Sequence, residues 1–224
     1  MEKPTIDRVL SIAQQYRTLS NPLLYSSRVW LMELECVEKL FRFAARTQQR
    51  LGIKGGDGAN WHAKTKNGET HQYFVDGVKS PDVIEEDILA AFHWLWSLKD
   101  NVKVYCEKKG AGSNWIEAEI SADPYLSICG DIANRTKHPD LKKGSRSKKF
   151  PVLGKLKYHV PQQALGSITV GAFDVTTKIA KPELVNLEMP IMGSDGKYLG
   201  DAFKYIDYGL KAWEKIIDHA ERAV

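Results

Sequence analysis

Residues 81–109 constrain the fold most, because they predict a long helix that is apolar on nearly every side. The main stripe of this helix has helical spacing and consists of Ile84, Ile88, Ala91, Leu95, Leu98 and Val102. Apolar surface on other sides comes from Leu89, Phe92, Trp94 and Trp96. A helix of this kind is predicted to be central, since only packing on several sides removes that much apolar surface from water.

Further helices are predicted from apolar periodicity at residues 5–19, 22–51, 114–120 and 123–138, and from about Asp201 to near the end of the chain. The helix at 22–51 has an apolar seam that alternates by three and four residues, which is typical of packing in a bundle. The final helix has the same spacing and is expected to pack against the other helices.

The segment after Phe150 has a different composition and predicts strands at 155–160, 167–176 and 184–189, with a hairpin turn at Ser194-Asp195-Gly196. A second turn, at Asp76-Gly77, is predicted inside a glycine-rich loop at 52–80. The fold class expected is mainly α: an up-and-down-like helical bundle with a small antiparallel β-hairpin or sheet inserted before the C-terminal helix. The expected organisation is a single domain over residues 1–224, with a helical bundle at 1–150, a β-rich insertion at 151–199 and a C-terminal helix at 200–224 that packs on the bundle.

Composition and motifs exclude several classes of protein. The chain has three widely separated cysteines, Cys36, Cys106 and Cys129, with neither metal-ligand spacing nor a disulfide pattern. GxSxG, HExxH, paired CxxC and Walker motifs are absent, so serine-hydrolase, zinc and P-loop functions lack support. We expect no metal and no cofactor. The N-terminus lacks a signal-peptide pattern and no apolar run approaches the ~20 residues of a membrane span, so a cytoplasmic protein without a membrane partner is expected.

The helix at 123–138 has the densest set of chemically capable side chains. Asp123 suits the N-cap and Pro124 the first helical position, while Pro139 ends the helix. The spacing i, i+3, i+4 and i+7 places four polar side chains on one face, away from the apolar face: Asp131, Asn134, Arg135 and His138. An imidazole and a guanidinium together suit metal-independent RNA cleavage, with His138 moving the proton of the 2′-hydroxyl and Arg135 stabilising the phosphorane. Asn134 and Asp131 would orient this pair.

The basic loop after this helix is a candidate phosphate-binding segment. Residues 135–149 contain seven Lys or Arg residues and one acid, Asp140. The cations assigned to RNA or nucleotide phosphates are Lys137, Lys142, Lys143, Arg146, Lys148 and Lys149. An alternative stays open, because cations suit the last turn of any helix and Asp131 with Arg135 forms an ordinary surface pair. In that case the protein is a non-catalytic dimerisation or protein-interaction module.

The helical layout and the segment from Asp131 to His138, DIANRTKH, resemble the HEPN superfamily of helical-bundle proteins. The resemblance implies a homodimer that assembles its site from both copies, and a metal-independent endoribonuclease of the toxin–antitoxin or phage-defence kind. Catalytic members separate the Arg and the His by four to six residues, whereas two residues separate Arg135 from His138. Other members of the superfamily are non-catalytic binding or dimerisation modules.

Overall fold

The computed structural model describes residues 58–137 and 144–222, so the helices predicted at 5–19 and 22–51 lie outside it. Four helices occur in these ranges: α1 (Pro81–Lys108), α2 (Asn114–Ala122), α3 (Pro124–Lys137) and α4 (Ala202–Arg222). The strands are β1 (Ala59–Lys64), β2 (Thr70–Asp76), β3 (Val152–Leu153), β4 (Lys157–His159), β5 (Leu165–Val170), β6 (Asp174–Ile179), β7 (Asn186–Glu188), β8 (Pro190–Met192) and β9 (Tyr198–Asp201). Two short 3₁₀ helices lie between strands: Gln162–Ala164 between β4 and β5, and Pro182–Leu184 between β6 and β7.

Helix α1 is the centre of the main core, as its apolar pattern predicts. It begins at Pro81, where the Ser80 hydroxyl accepts a hydrogen bond from the N–H of Val83. Helices α3 and α4 pack against α1 and against each other. The predicted stripe of α1 is buried, and Phe92 and Trp213 are among the largest side chains in this core. None of the helices in the described ranges is long and apolar enough to cross a membrane.

The strands form three sheets. The largest has four strands in the order β1-β2-β6-β5, with β2 and β6 parallel and the two outer pairs antiparallel. Strands β3, β8 and β9 form an antiparallel sheet, and β4 pairs with β7. A second, smaller core of Val78, Ala164, Ile179 and Val185 lies at one end of the four-stranded sheet.

The prediction of a mainly α bundle with one small β insertion is wrong, because the described residues form a mixed α/β fold with several sheets. Half of the largest sheet precedes α1 in the sequence, and β2 pairs with β6 across the whole helical segment. Such a pairing joins distant segments, and periodicity within a short window carries no information about it. The division into 1–150, 151–199 and 200–224 stays a prediction.

The predictions of turns and strand ends had mixed outcomes. The turn at Ser194-Asp195-Gly196 is confirmed, since it connects β8 to β9. The first hairpin, however, turns at residues 65–69, where Gly68 has a φ of 84°, and the predicted turn at Asp76-Gly77 instead leads from β2 towards α1. The strand predicted at 167–176 is divided into β5 and β6 by a tight turn at residues 171–173.

Candidate phosphate-binding site

Helix α3 begins as its sequence predicts. The Asp123 carboxylate accepts hydrogen bonds from the N–H groups of Tyr125 and Leu126, both at 2.8 Å. These bonds satisfy donors that the first turn of a helix otherwise leaves free, and Pro124 needs no donor of its own. The apolar side of α3 is buried in the main core, with Ile128, Cys129 and Ile132 among its members. The helix backbone at Asn134 and Arg135 is therefore anchored to the main core.

Asp131 is buried, although its position in the helix predicts a place on the exposed polar face. Its carboxylate accepts four hydrogen bonds from the segment that returns after the helix: from Ser145 Oγ at 2.7 Å, Arg146 N at 2.7 Å, Ser147 N at 2.9 Å and Ser147 Oγ at 2.6 Å. Both carboxylate oxygens are engaged. Asp131 therefore holds residues 144–150, which we call the clamped loop, against α3. Its predicted role in orienting catalytic side chains stays a prediction.

The clamped loop has a tight internal structure. The Ser145 hydroxyl accepts a hydrogen bond from Phe150 N, and the Ser147 hydroxyl accepts one from Lys149 N. Lys148 and Phe150 have φ values of 60° and 46°, in the left-handed region that residues other than glycine rarely adopt. The contacts to Asp131 compensate for the cost of such backbone conformations. The loop is also tied to the β8–β9 turn, because Ser194 N donates to Lys149 O.

Arg135 lies at the open side of this loop. Its side chain is exposed, and Nη1 donates a long hydrogen bond of 3.5 Å to Phe150 O. Arg135 and the half-buried Asn134 line a solvent-open hollow together with Asp131, Gly144, Ser145, Phe150 and Pro151. An exposed guanidinium is available to an anionic ligand.

Two of the predicted phosphate-binding lysines, Lys148 and Lys149, lie on the clamped loop with exposed side chains. Three other candidate residues, His138, Lys142 and Lys143, lie outside the described residues, as does the side chain of Lys137. The structure therefore places Arg135 and Asn134 next to the loop on which Lys148 and Lys149 lie. In the sequence, the predicted base His138 directly follows the last residue of α3.

Arg146 is engaged in a different way from the other loop cations. Its guanidinium forms an ion pair with Glu117 at 2.8 Å and donates to Ser121 Oγ at 2.7 Å. It also lies over the ring of Trp96, 5.0 Å from the centroid. These contacts fasten the clamped loop to α1 and α2. Its predicted role in phosphate binding stays a prediction, and a ligand would have to compete with Glu117 for it.

Glu117 is the centre of a cluster that the sequence did not reveal. It pairs with Lys99 and Lys103 of α1 as well as with Arg146. Partial burial alone would raise the pKa of Glu117, but hydrogen bonds from Lys103 and Arg146 outweigh that effect and lower it. Lys99 also lies 3.7 Å from the exposed carboxylate of Asp100, so three cations meet two carboxylates beside the clamped loop, with an excess of one positive charge. No motif in the sequence indicates this cluster, because its members come from three separate segments.

The described residues offer no cluster of three His, Cys, Asp or Glu side chains that could hold a metal ion. Cys106 and Cys129 are buried free thiols, and burial raises the pKa of both. A thiol with a raised pKa is mostly protonated at neutral pH, so neither cysteine has the properties of a nucleophile or a ligand. The groups of this site that could bind an anion are the cations Arg135, Lys148 and Lys149 and the amide of Asn134.

Comparison of the chain with protein-family models, with curated proteins and with solved structures found no match. The resemblance to the HEPN superfamily therefore stays an expectation from the sequence, based on the predicted helical layout and the segment from Asp131 to His138. The function has to be argued from the geometry of the site itself.

Proposed function

We propose that this protein binds RNA or nucleotide phosphates at the end of α3, through a surface formed by Arg135, Lys148 and Lys149, which we call the basic surface. The observation that carries the proposal is the clamp between Asp131 and residues 145–147, which holds the loop that bears the two lysines against the helix that bears Arg135. A loop that is already ordered loses little conformational entropy when a ligand binds.

The side chains of the basic surface suit a phosphate backbone. Exposed lysines act as point charges that attract phosphates and release counterions, whereas a guanidinium can bind a phosphate with two parallel N–H groups. The neighbouring cluster around Glu117 adds positive charge on the side towards α1. The net charge of the whole chain is only +4, so this concentration of cations is a local feature.

The catalytic part of the proposal is a HEPN-like, metal-independent endoribonuclease that acts as a toxin or a phage-defence component. In it His138 moves the proton of the 2′-hydroxyl, Arg135 stabilises the charge of the phosphorane and Asn134 orients the pair. Asp131 would act indirectly by holding the clamped loop. A homodimer that combines two such surfaces belongs to the same proposal.

The test is incubation of the purified protein with labelled single-stranded RNA in EDTA, next to His138→Ala and Arg135→Ala. Cleavage by the wild type that both substitutions abolish, with unchanged thermal stability, supports the nuclease. RNA binding without cleavage limits the function to binding. If RNA is neither bound nor cut, the proposal is wrong.

A second function, a non-catalytic interaction module, is favoured by a different observation. Part of one face of the four-stranded sheet is apolar and exposed, with Trp61, Ile168, Val170 and Phe173 between 48% and 73% accessible. A contiguous exposed apolar area of this kind marks an interaction surface in many proteins. Size-exclusion and RNA binding at two salt concentrations separate the two functions, since only phosphate binding falls steeply with salt.

A further inference from the structure

The carboxylate of Glu117 on α2 lies between cations of α1 and of the clamped loop. Its Oε1 accepts a hydrogen bond from Lys103 and lies 3.7 Å from Lys99 Nζ, while its Oε2 lies 2.8 Å from Arg146 Nη2. Both oxygens are therefore engaged by positively charged donors. Ammonium and guanidinium groups are also the side chains with which proteins bind the oxygens of a phosphate. The cluster thus has the chemistry of an anion-binding site, with an internal carboxylate as its occupant.

Contacts other than those to the Glu117 carboxylate hold two of the three cations in place. Lys99 and Arg146 both lie over the ring of Trp96, at 4.4 Å and 5.0 Å from its centroid. Arg146 Nη1 also donates to Ser121 Oγ at 2.7 Å and to the main-chain oxygen of Glu117 at 3.4 Å. These two cations therefore keep their partners when the carboxylate moves away. A site whose donors are already ordered loses little conformational entropy when a ligand fills it.

The Glu117 side chain lies at the surface and not in the main core. It is 33% exposed, and the side chains of its three cationic partners are between 17% and 27% exposed. A carboxylate at this depth can rotate into solvent, where water replaces its partners. An anion from solvent can therefore take its place without any opening of the main core.

The charges of the cluster suit a ligand with two negative charges better than one with a single charge. The exposed carboxylate of Asp100 lies 3.7 Å from Lys99, so the three cations without Glu117 leave an excess of two positive charges. A phosphodiester in an RNA backbone has one negative charge. A phosphate monoester has about −1.5 to −2 at neutral pH. A terminal phosphate is therefore the group that matches the cluster.

We propose that Lys99, Lys103 and Arg146 form a second phosphate subsite, which binds a terminal phosphate of RNA or of a nucleotide and which Glu117 occupies in the free protein. The inference rests on the proposed function and names a group of its ligand. The backbones of Arg146 and Lys148 are no more than about 8 Å apart, because only one residue separates them. An RNA strand on the basic surface thus has the subsite within reach of its end. Glu117 competes with that end for the three cations.

The first experiment measures the affinity of the full chain for one short single-stranded RNA by fluorescence anisotropy. The RNA has an internal label and phosphates at both ends or at neither, and 2′-O-methyl groups prevent its cleavage. The phosphorylated RNA should bind more tightly, and Glu117→Gln should raise its affinity by about 10-fold because the competitor is removed. Glu119→Gln, the matched control, removes the same charge from an exposed position on α2 and should change the affinity by less than about 2-fold.

A second pair of variants removes the cations of the subsite and leaves the basic surface intact. Lys99→Gln/Lys103→Gln should bind both RNAs equally, because the subsite no longer holds a terminal phosphate. Lys204→Gln/Lys215→Gln removes the same charge from exposed positions on α4 and should keep the preference for the phosphorylated RNA. Circular dichroism should show that all variants are folded.

The result for Glu117→Gln separates a competitor from a residue with a structural role. A structural role predicts unchanged or weaker binding, because the substitution removes ion pairs that hold the clamped loop. The proposal is wrong if Glu117→Gln binds the phosphorylated RNA no more tightly than Glu119→Gln does. An equal gain for both RNAs would show that the cluster binds backbone phosphates, and the assignment to a terminal phosphate would be wrong.

Failure of the proposed function is distinguishable from failure of the subsite. Binding of RNA that does not depend on terminal phosphates or on Lys99 and Lys103 overturns the subsite alone. If neither RNA binds, the proposed RNA binding fails, and calorimetric titration of Glu117→Gln with adenosine monophosphate tests the subsite by itself. Binding of the nucleotide that Glu119→Gln lacks supports a subsite for free nucleotides, and no binding overturns it.

Discussion

Ser147 donates two hydrogen bonds to the carboxylate of Asp131, one from Oγ at 2.6 Å and one from its main-chain N–H at 2.9 Å. The two residues belong to different segments, one in the third turn of α3 and the other in the loop that returns past it. Together with Ser145 and Arg146, Ser147 surrounds a carboxylate that would otherwise be buried without partners, which would be costly. This contact holds the loop that bears Lys148 and Lys149 against α3.

Asp131→Asn is expected to destabilise the protein and loosen the clamped loop. An amide has one acceptor oxygen, and its NH₂ group would face the N–H and O–H donors that now bind the carboxylate. Hydrogen bonds to a charged group contribute more than neutral ones, so we expect a loss of about 2 kcal/mol in the free energy of unfolding. Urea unfolding measures the loss.

Asp100→Asn is the control for that substitution, because the Asp100 side chain is 75% exposed. Its effect should stay within about 0.5 kcal/mol, as is usual for surface positions. Equal urea midpoints for the two variants would show that the contacts of Asp131 do not stabilise the fold.

Lys148→Ala/Lys149→Ala is expected to weaken RNA binding and to make it less dependent on salt. Each phosphate contact that is lost reduces the slope of log affinity against log salt by about one, so the double variant should lose about two. Fluorescence anisotropy with a labelled RNA at several salt concentrations gives the slope. Lys204→Ala/Lys215→Ala removes the same charge from exposed positions on α4 and should leave the slope nearly unchanged.

Gly130→Ala is expected to destabilise the contact between α3 and α1. A Cβ at position 130 would lie 2.5 Å from Cζ3 and 2.7 Å from Cε3 of Trp96. The ring has little freedom to move, because Lys99 and Arg146 both lie over it. Alanine improves helix propensity by about 1 kcal/mol, but overpacking costs about 1–3 kcal/mol, so the net change should be a loss of stability.

Gly112→Ala provides the comparison, since no atom lies within 4 Å of a Cβ at that position. Thermal unfolding of the two variants should show a lower melting temperature only for Gly130→Ala. If the Gly130 variant is as stable as the wild type, the helix–ring contact is more adaptable than its geometry indicates.

Glu117→Gln is expected to make stability less dependent on pH in the acidic range. Hydrogen bonds from Lys103 and Arg146 hold the pKa of Glu117 below its ordinary value of 4.5, despite partial burial. A carboxylate whose pKa is lower in the folded state stabilises the protein above the unfolded pKa, and this contribution is lost as the pH falls through the folded pKa. At neutral pH the free energy of unfolding of the wild type should exceed that of the variant by about 1 kcal/mol.

The gap between the two proteins should close as the pH falls below about 4.5, which urea unfolding at pH 7 and pH 3 can measure. Glu119→Gln, an exposed position on the same helix, should show no such convergence. If the difference in the free energy of unfolding stays constant with pH, the charge of Glu117 does not stabilise the fold. The effect of Glu117→Gln would then be one of packing.

The sequence predicted the features that depend on residues close together along the chain. The start of α1 follows from Ser80 and Pro81, and the start of α3 follows from Asp123 and Pro124, because capping is decided within a few residues. The burial of the α1 stripe follows from its periodicity. The exposure of Arg135 also agrees with its helical spacing, which places it away from the apolar face of α3.

Only the tertiary structure decided the pairing of distant segments. Whether β2 meets β6 depends on which folded pieces come together, and the alternation of side chains within either strand is compatible with many partners. For the same reason helical spacing placed Asp131 on an exposed face, while the loop that returns over it makes it a buried anchor. The sequence by itself thus determined the helices of the described residues and the chemical groups available. Long-range contacts determined the mixed sheet, the clamped loop and which of those groups remain exposed.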